Sequence, residues 1–263
     1  MPDRLFRDGV GRRETRVLVP YHLDEYLPAL DTPVAPDITV LAELEAGDPW
    51  QRMAQLYEEV ATRIASVLRA GGRPAVVSGD CTTAIGTVAG LQRAGVDPAI
   101  VWFDAHGDVQ TLETTASGYL GGMPLRILAG YRPELIAQPL GLHAVPEQRI
   151  VLVDARDLDP PERAYLDQAA IRRTSVAGLS AGTLPDGPLY LHLDVDVVDP
   201  AGLPGLRYPA PGGPDLAAVA AALARVLATG RVSAFGLACT WHAGQGAAAR
   251  LGDRLSDVLA GWV

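Results

Sequence analysis

The residues best suited to chemistry in this chain lie in Phe103-Asp104-Ala105-His106-Gly107-Asp108. They follow Ala99 to Trp102, an apolar run that reads as a buried strand. Metal-binding side chains then recur at every second position. On an extended backbone residues i and i+2 share a face, so Asp104 and His106 point the same way at the strand's carboxyl end. Asp108 joins them once the chain turns at Gly107. A second cluster, Asp194-Val195-Asp196, closes another apolar run. Four carboxylates and one imidazole are too rich in oxygen for a structural zinc site, which favours Cys and His. The set suits Mn²⁺ or a similar divalent ion. Two such ions about 3.5–4 Å apart, bridged by carboxylates, would share a water and lower its pKa into the working range. The resulting hydroxide could attack an electrophilic carbon at neutral pH. Acids at strand ends also cap turns, and for Asp199-Pro200 capping is the better reading. For two acid clusters that each follow a buried strand, the metal centre is favoured.

Those strands need neighbours to hold them. Thr15 to Pro20 reads as a first strand after a loose, Arg-rich lead-in over residues 1–15. Residues 21–48 hold several prolines and acids and are expected to be loops with one short helix. Met53, Leu56, Tyr57, Val60, Ile64, Val67 and Leu68 recur at helical spacing, predicting a helix over 49–70 that stops at Gly71-Gly72. Strands are expected at 74–78, 99–104, 149–153, 171–174, 189–193 and 232–238, and helices at 82–94, 123–128, 161–169, 214–228 and 247–262. Residues 109–122 form a long polar loop of the kind that lines sites. Strand–helix alternation over the whole length predicts an α/β fold, a mostly parallel sheet with helices on both faces, organised as one domain. In such sheets ligands bind outside the carboxyl ends of the strands, where both acid clusters fall.

Composition bounds the partners. The chain has 263 residues, 48% of them hydrophobic and 20% charged, as in globular proteins. A net charge of −9 argues against a nucleic-acid footprint, which is normally basic. No run of about 18 apolar residues offers a membrane span, and the N-terminus lacks an apolar signal core. Two cysteines, Cys81 and Cys239, make no disulfide framework, which fits a reducing cytoplasm. The expected partner is a small molecule. Homo-oligomerisation is left open.

Asp104-Ala105-His106-Gly107-Asp108 and His192-Leu193-Asp194-Val195-Asp196-Val197-Val198-Asp199-Pro200 resemble the two signature motifs of the ureohydrolases, the family of arginase, agmatinase and formimidoylglutamase. The resemblance runs from about residue 74 to residue 240. It implies the three-layer arginase-like fold and two Mn²⁺ per chain, other divalent ions being alternatives. It implies that Asp104 and Asp194 bridge the ions, that His106 and Asp196 complete one shell, and that Asp108 serves the other ion and takes part in catalysis. It further matches Gln110, Thr115 and Ser117 to residues that bind an amino acid's carboxylate, and Asp159 and Glu162 to residues facing its α-amino group. Asp159 before Pro160 also reads as a helix N-cap.

Three positions depart from the family pattern. Cys81, in Ser78-Gly79-Asp80-Cys81, stands where the family has a ligating His. A thiolate is softer than Mn²⁺ normally prefers, but its place in the motif favours ligation. Gly121, in Ser117-Gly118-Tyr119-Leu120-Gly121-Gly122, stands where arginases carry a loop His, and Tyr119 is a candidate catalytic substitute, with packing against the sheet the alternative. The stretch Cys239-Thr240-Trp241-His242 lacks the Glu that pairs with a guanidinium, an interaction worth about 1.5–3 kcal/mol. Together these imply a binuclear metal-dependent amidinohydrolase acting on an arginine-like amino acid. N-hydroxy-arginine is a candidate substrate, because its less basic group depends less on a carboxylate partner. The alternatives are a ureohydrolase for another guanidino or formimino compound, and a non-catalytic binding protein on the same fold.

Overall fold

The computed structural model describes residues 13–260. In chain order its elements are β1 (Glu14–Val19), β2 (Tyr21–His22), β3 (Glu25–Tyr26), β4 (Ile38–Thr39), α1 (Pro49–Arg69), β5 (Arg73–Ser78), α2 (Thr83–Arg93), β6 (Ala99–Asp104), α3 (Pro124–Leu128), β7 (Ile150–Asp154), α4 (Pro160–Leu166), β8 (Arg172–Thr174), β9 (Leu189–Asp194), α5 (Leu216–Leu227), β10 (Val232–Ala238) and α6 (Ala247–Ala260). Eight strands form one sheet in the order β4-β1-β5-β10-β9-β6-β7-β8. Every pairing in that sheet is parallel. Parallel neighbours need long crossovers, and the helices supply them.

The strands read as unbroken apolar runs because both faces of the sheet are covered. Along β6, Ile100 and Trp102 join the apolar layer under α1, α2 and α3, whereas Val101 and Phe103 join the layer under α5 and α6. Tyr190 and Leu191 divide in the same way on β9. The result is three layers, helix–sheet–helix, as expected from the alternation of elements. Helix α1 starts at a capping box, with Asp48 accepting from Gln51 N, and buries the stripe that its spacing foretold.

Two expectations need correction. Residues 21–48 hold no helix; instead β2 and β3 form a two-residue hairpin and β4 pairs with β1. Such strands are too short to show a period in sequence. Glu14 and Thr15 belong to β1 and are not a loose lead-in, while residues 1–12 lie outside the described range. The end of the last predicted helix, at Trp262, also lies outside it.

In the sheet order β5, β10, β9 and β6 are consecutive, so their carboxyl ends share one edge. The register sets Ala238 beside both Ser78 and Asp194. The turns that carry Cys81, Thr240, Asp196 and His106 therefore open on one crevice.

Candidate metal centre

Strand β6 delivers Asp104 to that edge, and β9 delivers Asp194. A single 3₁₀ turn, Val195–Val197, follows β9 and lets Asp194 accept from Asp196 N at 3.0 Å. Asp104 does the same for His106 N at 2.7 Å. Each local bond aims the carboxylate back over the strand end. Asp108 sits at φ 54°, a left-handed conformation uncommon for any residue but Gly, Asn and Asp. Asp80 fixes the turn before α2. It accepts from Thr82 N at 2.6 Å and also from the backbone N–H of Leu23, in the loop that follows β2.

These anchors produce two overlapping groups of donors. The ligand atoms of Cys81, Asp104 and Asp108 lie within 4.8 Å of one another, and so do those of Asp104, His106 and Asp196. Asp104 belongs to both. Asp194 closes the arrangement, its Oδ2 lying 2.8 Å from Cys81 Sγ and its Oδ1 2.5 Å from Thr240 Oγ1. All six residues proposed as ligands from the sequence are thus brought together.

The electrostatics are those of a site with too much negative charge. Burial, and then the charges of Asp104 and Asp194, push the Asp108 carboxyl well up. Burial and Asp196 do the same to Asp194, and burial and Asp104 raise Asp196 to about 6. Burial also pushes Asp104 upward, but its contacts with His106 outweigh that and hold it low. His106 is opposed by its own burial, yet Asp104 and Asp196 raise it to about 12. One imidazolium cannot balance four buried carboxylates. Asp108 Oδ2 and Asp196 Oδ2 are buried without a hydrogen-bond partner. Asp196 Oδ2 is 3.1 Å from His106 Nδ1, close but not aligned as a hydrogen bond, as two donors facing a common point would be. Orphaned carboxylate oxygens are expensive unless a cation completes them. The oxygen-rich donor set fits two divalent ions, with one thiol on the buried side.

Above this floor lies a cavity of about 150 Å³. Gln110, Thr115, Ser117, Asp159 and Glu162 all line it. Three of them are linked: Gln110 Nε2 donates to Asp159 Oδ2 at 2.8 Å, Asp159 N donates to Glu162 Oε2, and Gln110 Oε1 accepts from Thr114 Oγ1 at 2.8 Å. Glu162 accepts from Val109 N and Asp159 N, each at 3.2 Å, so part of its capacity holds the start of α4 against the loop. Thr115 Oγ1 and Ser117 Oγ accept from Gly118 N and Tyr119 N, which leaves their protons free to donate.

Tyr119 turns into the cavity and does not pack on the sheet. Its hydroxyl meets His22 Nε2 at 3.1 Å, and the two rings stack 5.7 Å apart. A Cβ at position 121 would lie 2.2 Å from the Tyr119 hydroxyl. The phenol therefore occupies the space in which a side chain at 121 would start. Trp241 is buried away from the cavity and donates Nε1–H to Asp31 O at 3.2 Å; Thr240 faces the cavity instead.

Sequence reasoning missed His22 and Tyr208 beside Tyr119, Thr240 over Asp194, and His192 behind Cys81. His192 Nε2 is 3.2 Å from Cys81 Sγ, Nδ1 is 3.0 Å from the Tyr190 hydroxyl, and the ring stacks on Trp102 at 3.7 Å. Burial lowers its pKa to about 3, so the imidazole is neutral. His22 and Thr240 each lie just past a strand's carboxyl end, the same signal that exposed the acids, but neither belongs to a spaced cluster.

A parallel three-layer fold with acid-rich strand ends around a shared carboxylate defines a class of α/β proteins whose strand-end donors suit a divalent ion. The particular family is shown by its model, which matches residues 12–240: the chain belongs to the arginase family. It is 33% identical to the arginase of Bacillus subtilis (strain 168) over 170 residues, 59% of this chain and 57% of that relative. The match thus spans less than two thirds of the relative's length. In fold it is similar to the arginase of Bacillus caldovelox, with a TM-score of 0.78 at 22% identity, covering 95% of this chain and 97% of that one. It is similar also to formimidoylglutamase from Bacillus subtilis, with a TM-score of 0.69 at 15% identity, covering 97% and 88%.

Proposed function

We propose that this protein is a metal-dependent C–N hydrolase acting on the guanidino or amidino-type group of an arginine-like amino acid, with N-hydroxy-arginine its preferred substrate. The observation that carries the reading is the pair of donor groups that share Asp104 beneath a cavity lined by the polar side chains of Gln110, Thr115, Ser117, Asp159 and Glu162. Cys81, Asp104, Asp108 and Asp194 would hold one Mn²⁺, and Asp104, His106, Asp194 and Asp196 the other. Two such cations supply the Lewis acidity that brings a water's pKa toward neutrality. Asp108, whose Oδ2 is buried and unpartnered, would take up the proton that such a water gives up. Thr115 and Ser117 donate to the substrate's carboxylate, while Asp159 and Glu162 face its ammonium. Gln110 braces Asp159. At the far end, Thr240 and Tyr119 offer hydroxyls where the family's carboxylate and imidazole are missing. Hydroxyls suit a weakly basic N-hydroxyguanidine better than a guanidinium, which needs an anion.

The test is turnover of arginine, N-hydroxy-arginine, agmatine and formimidoylglutamate by Mn²⁺-loaded protein, with urea, hydroxyurea and formamide separated as products. Hydroxyurea release from N-hydroxy-arginine should be fastest. Faster release of urea from arginine would reject the substrate assignment. No turnover of any of the four by protein that holds both ions would reject the hydrolase reading.

A further inference from the structure

The core side of Cys81 carries a built arrangement that no ligand role explains. Tyr190, His192 and Asp194 share one face of β9, as residues two apart must. His192 is 1% exposed and lies flat on Trp102 of the adjacent strand β6. On the other side its register partner is Gly236 of β10. A Cβ there would lie 2.1 Å from the Tyr190 hydroxyl and 3.1 Å from His192 Nδ1. Only a residue without a side chain leaves the notch in which that hydroxyl and that nitrogen meet.

Among the described residues the two ring nitrogens of His192 meet a sulfur and a phenol hydroxyl and no carboxylate, so the ring is set to carry one N–H and one bare nitrogen. A sulfur that binds a cation is a thiolate and can only accept. Nε2 must then carry the proton, Nδ1 must be bare, and the buried Tyr190 hydroxyl must donate to it. We propose that His192 is a positioning residue for the Cys81 sulfur, donating Nε2–H to Sγ while Tyr190 holds the imidazole in that tautomer. The inference rests on the reading of Cys81 as a ligand. A hydrogen-bonded thiolate gives less charge to the metal and behaves as a harder ligand. This would let a sulfur serve among carboxylates without dictating a soft ion, and it would fix the sulfur's direction.

Cobalt(II)-loaded protein reports on this directly through its sulfur-to-cobalt charge-transfer band. His192→Phe should move the band to longer wavelength and weaken binding of one of the two ions about 10- to 100-fold in chelator competition. His192→Gln restores a donor near the Nε2 position and should return the band most of the way. Tyr190→Phe removes only a hydroxyl, so it tests the relay even if the Phe variant at 192 does not fold. It should give a smaller shift in the same direction. A wild-type band left unmoved by Tyr190→Phe and by whichever variants fold at 192, with unchanged affinities, would overturn the relay alone. Absence of the band from wild-type protein holding two cobalt ions would overturn both the relay and the assignment of Cys81 as a ligand.

Discussion

The two donor groups share Asp104 yet live in opposite surroundings. In the Asp104–His106–Asp196 group the imidazole is 29% exposed at the crevice, and it offsets part of the charge of its two carboxylates as an ion pair. In the Cys81–Asp104–Asp108 group every member is buried, and none contributes a positive charge. Burial, then Asp194, pushes the Cys81 thiol well up, just as Asp108 is pushed up. The open group is the less costly without a metal ion, because its imidazolium offsets one of its two carboxylates. The closed group can stand only by keeping protons, and it gives them up as a cation enters. One fold thus offers two candidate donor groups that differ in accessibility, in hardness and in the charge they leave uncompensated.

Breaking the shared residue should have the largest effect. Asp104→Ala removes a shared donor from both groups, so bound manganese, expected at about two per chain in the intact protein, should fall toward none by elemental analysis. Retention of one tight ion would mean that the groups are independent. Next come the separate halves: Cys81→Ala and His106→Ala should each lose one ion, and each should keep the ion that the other loses. Identical losses would erase the distinction between open and closed groups.

Asp108→Asn replaces a carboxyl that the closed group can bury only in its protonated form, and Asn tolerates the left-handed backbone there. Metal-free protein should gain about 1–3 kcal/mol in urea unfolding, while manganese should stabilise the variant less than wild type. A loss of metal-free stability would show that Asp108 is already satisfied. Gly236→Ala crowds the notch behind the closed group and should cost about 1–3 kcal/mol, less when combined with Tyr190→Phe. The smallest effect is expected far from both groups. Asp48→Ala at the start of α1 should lower stability by about 1 kcal/mol and leave metal content unchanged.

The sequence exposed the open half of the centre more fully than the closed half. Asp104, His106, Asp194 and Asp196 sit two apart at the ends of apolar strands, and period-two spacing is a local signal. The helix over 49–70 was equally readable, because its stripe repeats for several turns. Cys81 was flagged only by its place in a motif. The partners of Cys81 depend on strand order: His192 comes from a strand more than a hundred residues away, and Gly236 matters only because β10 pairs with β9. His22 was hidden for the same reason. It lies on a two-residue strand without a readable period and meets Tyr119 across ninety-seven positions of sequence.

The contact between Tyr119 and position 121 also constrains how such a pocket can change over generations. A side chain at 121 would begin inside the phenol, so a substitution there forces the Tyr119 ring out of its present place and away from His22. A change at 121 is therefore read out at 119 as well, and the two positions of this loop vary as a pair.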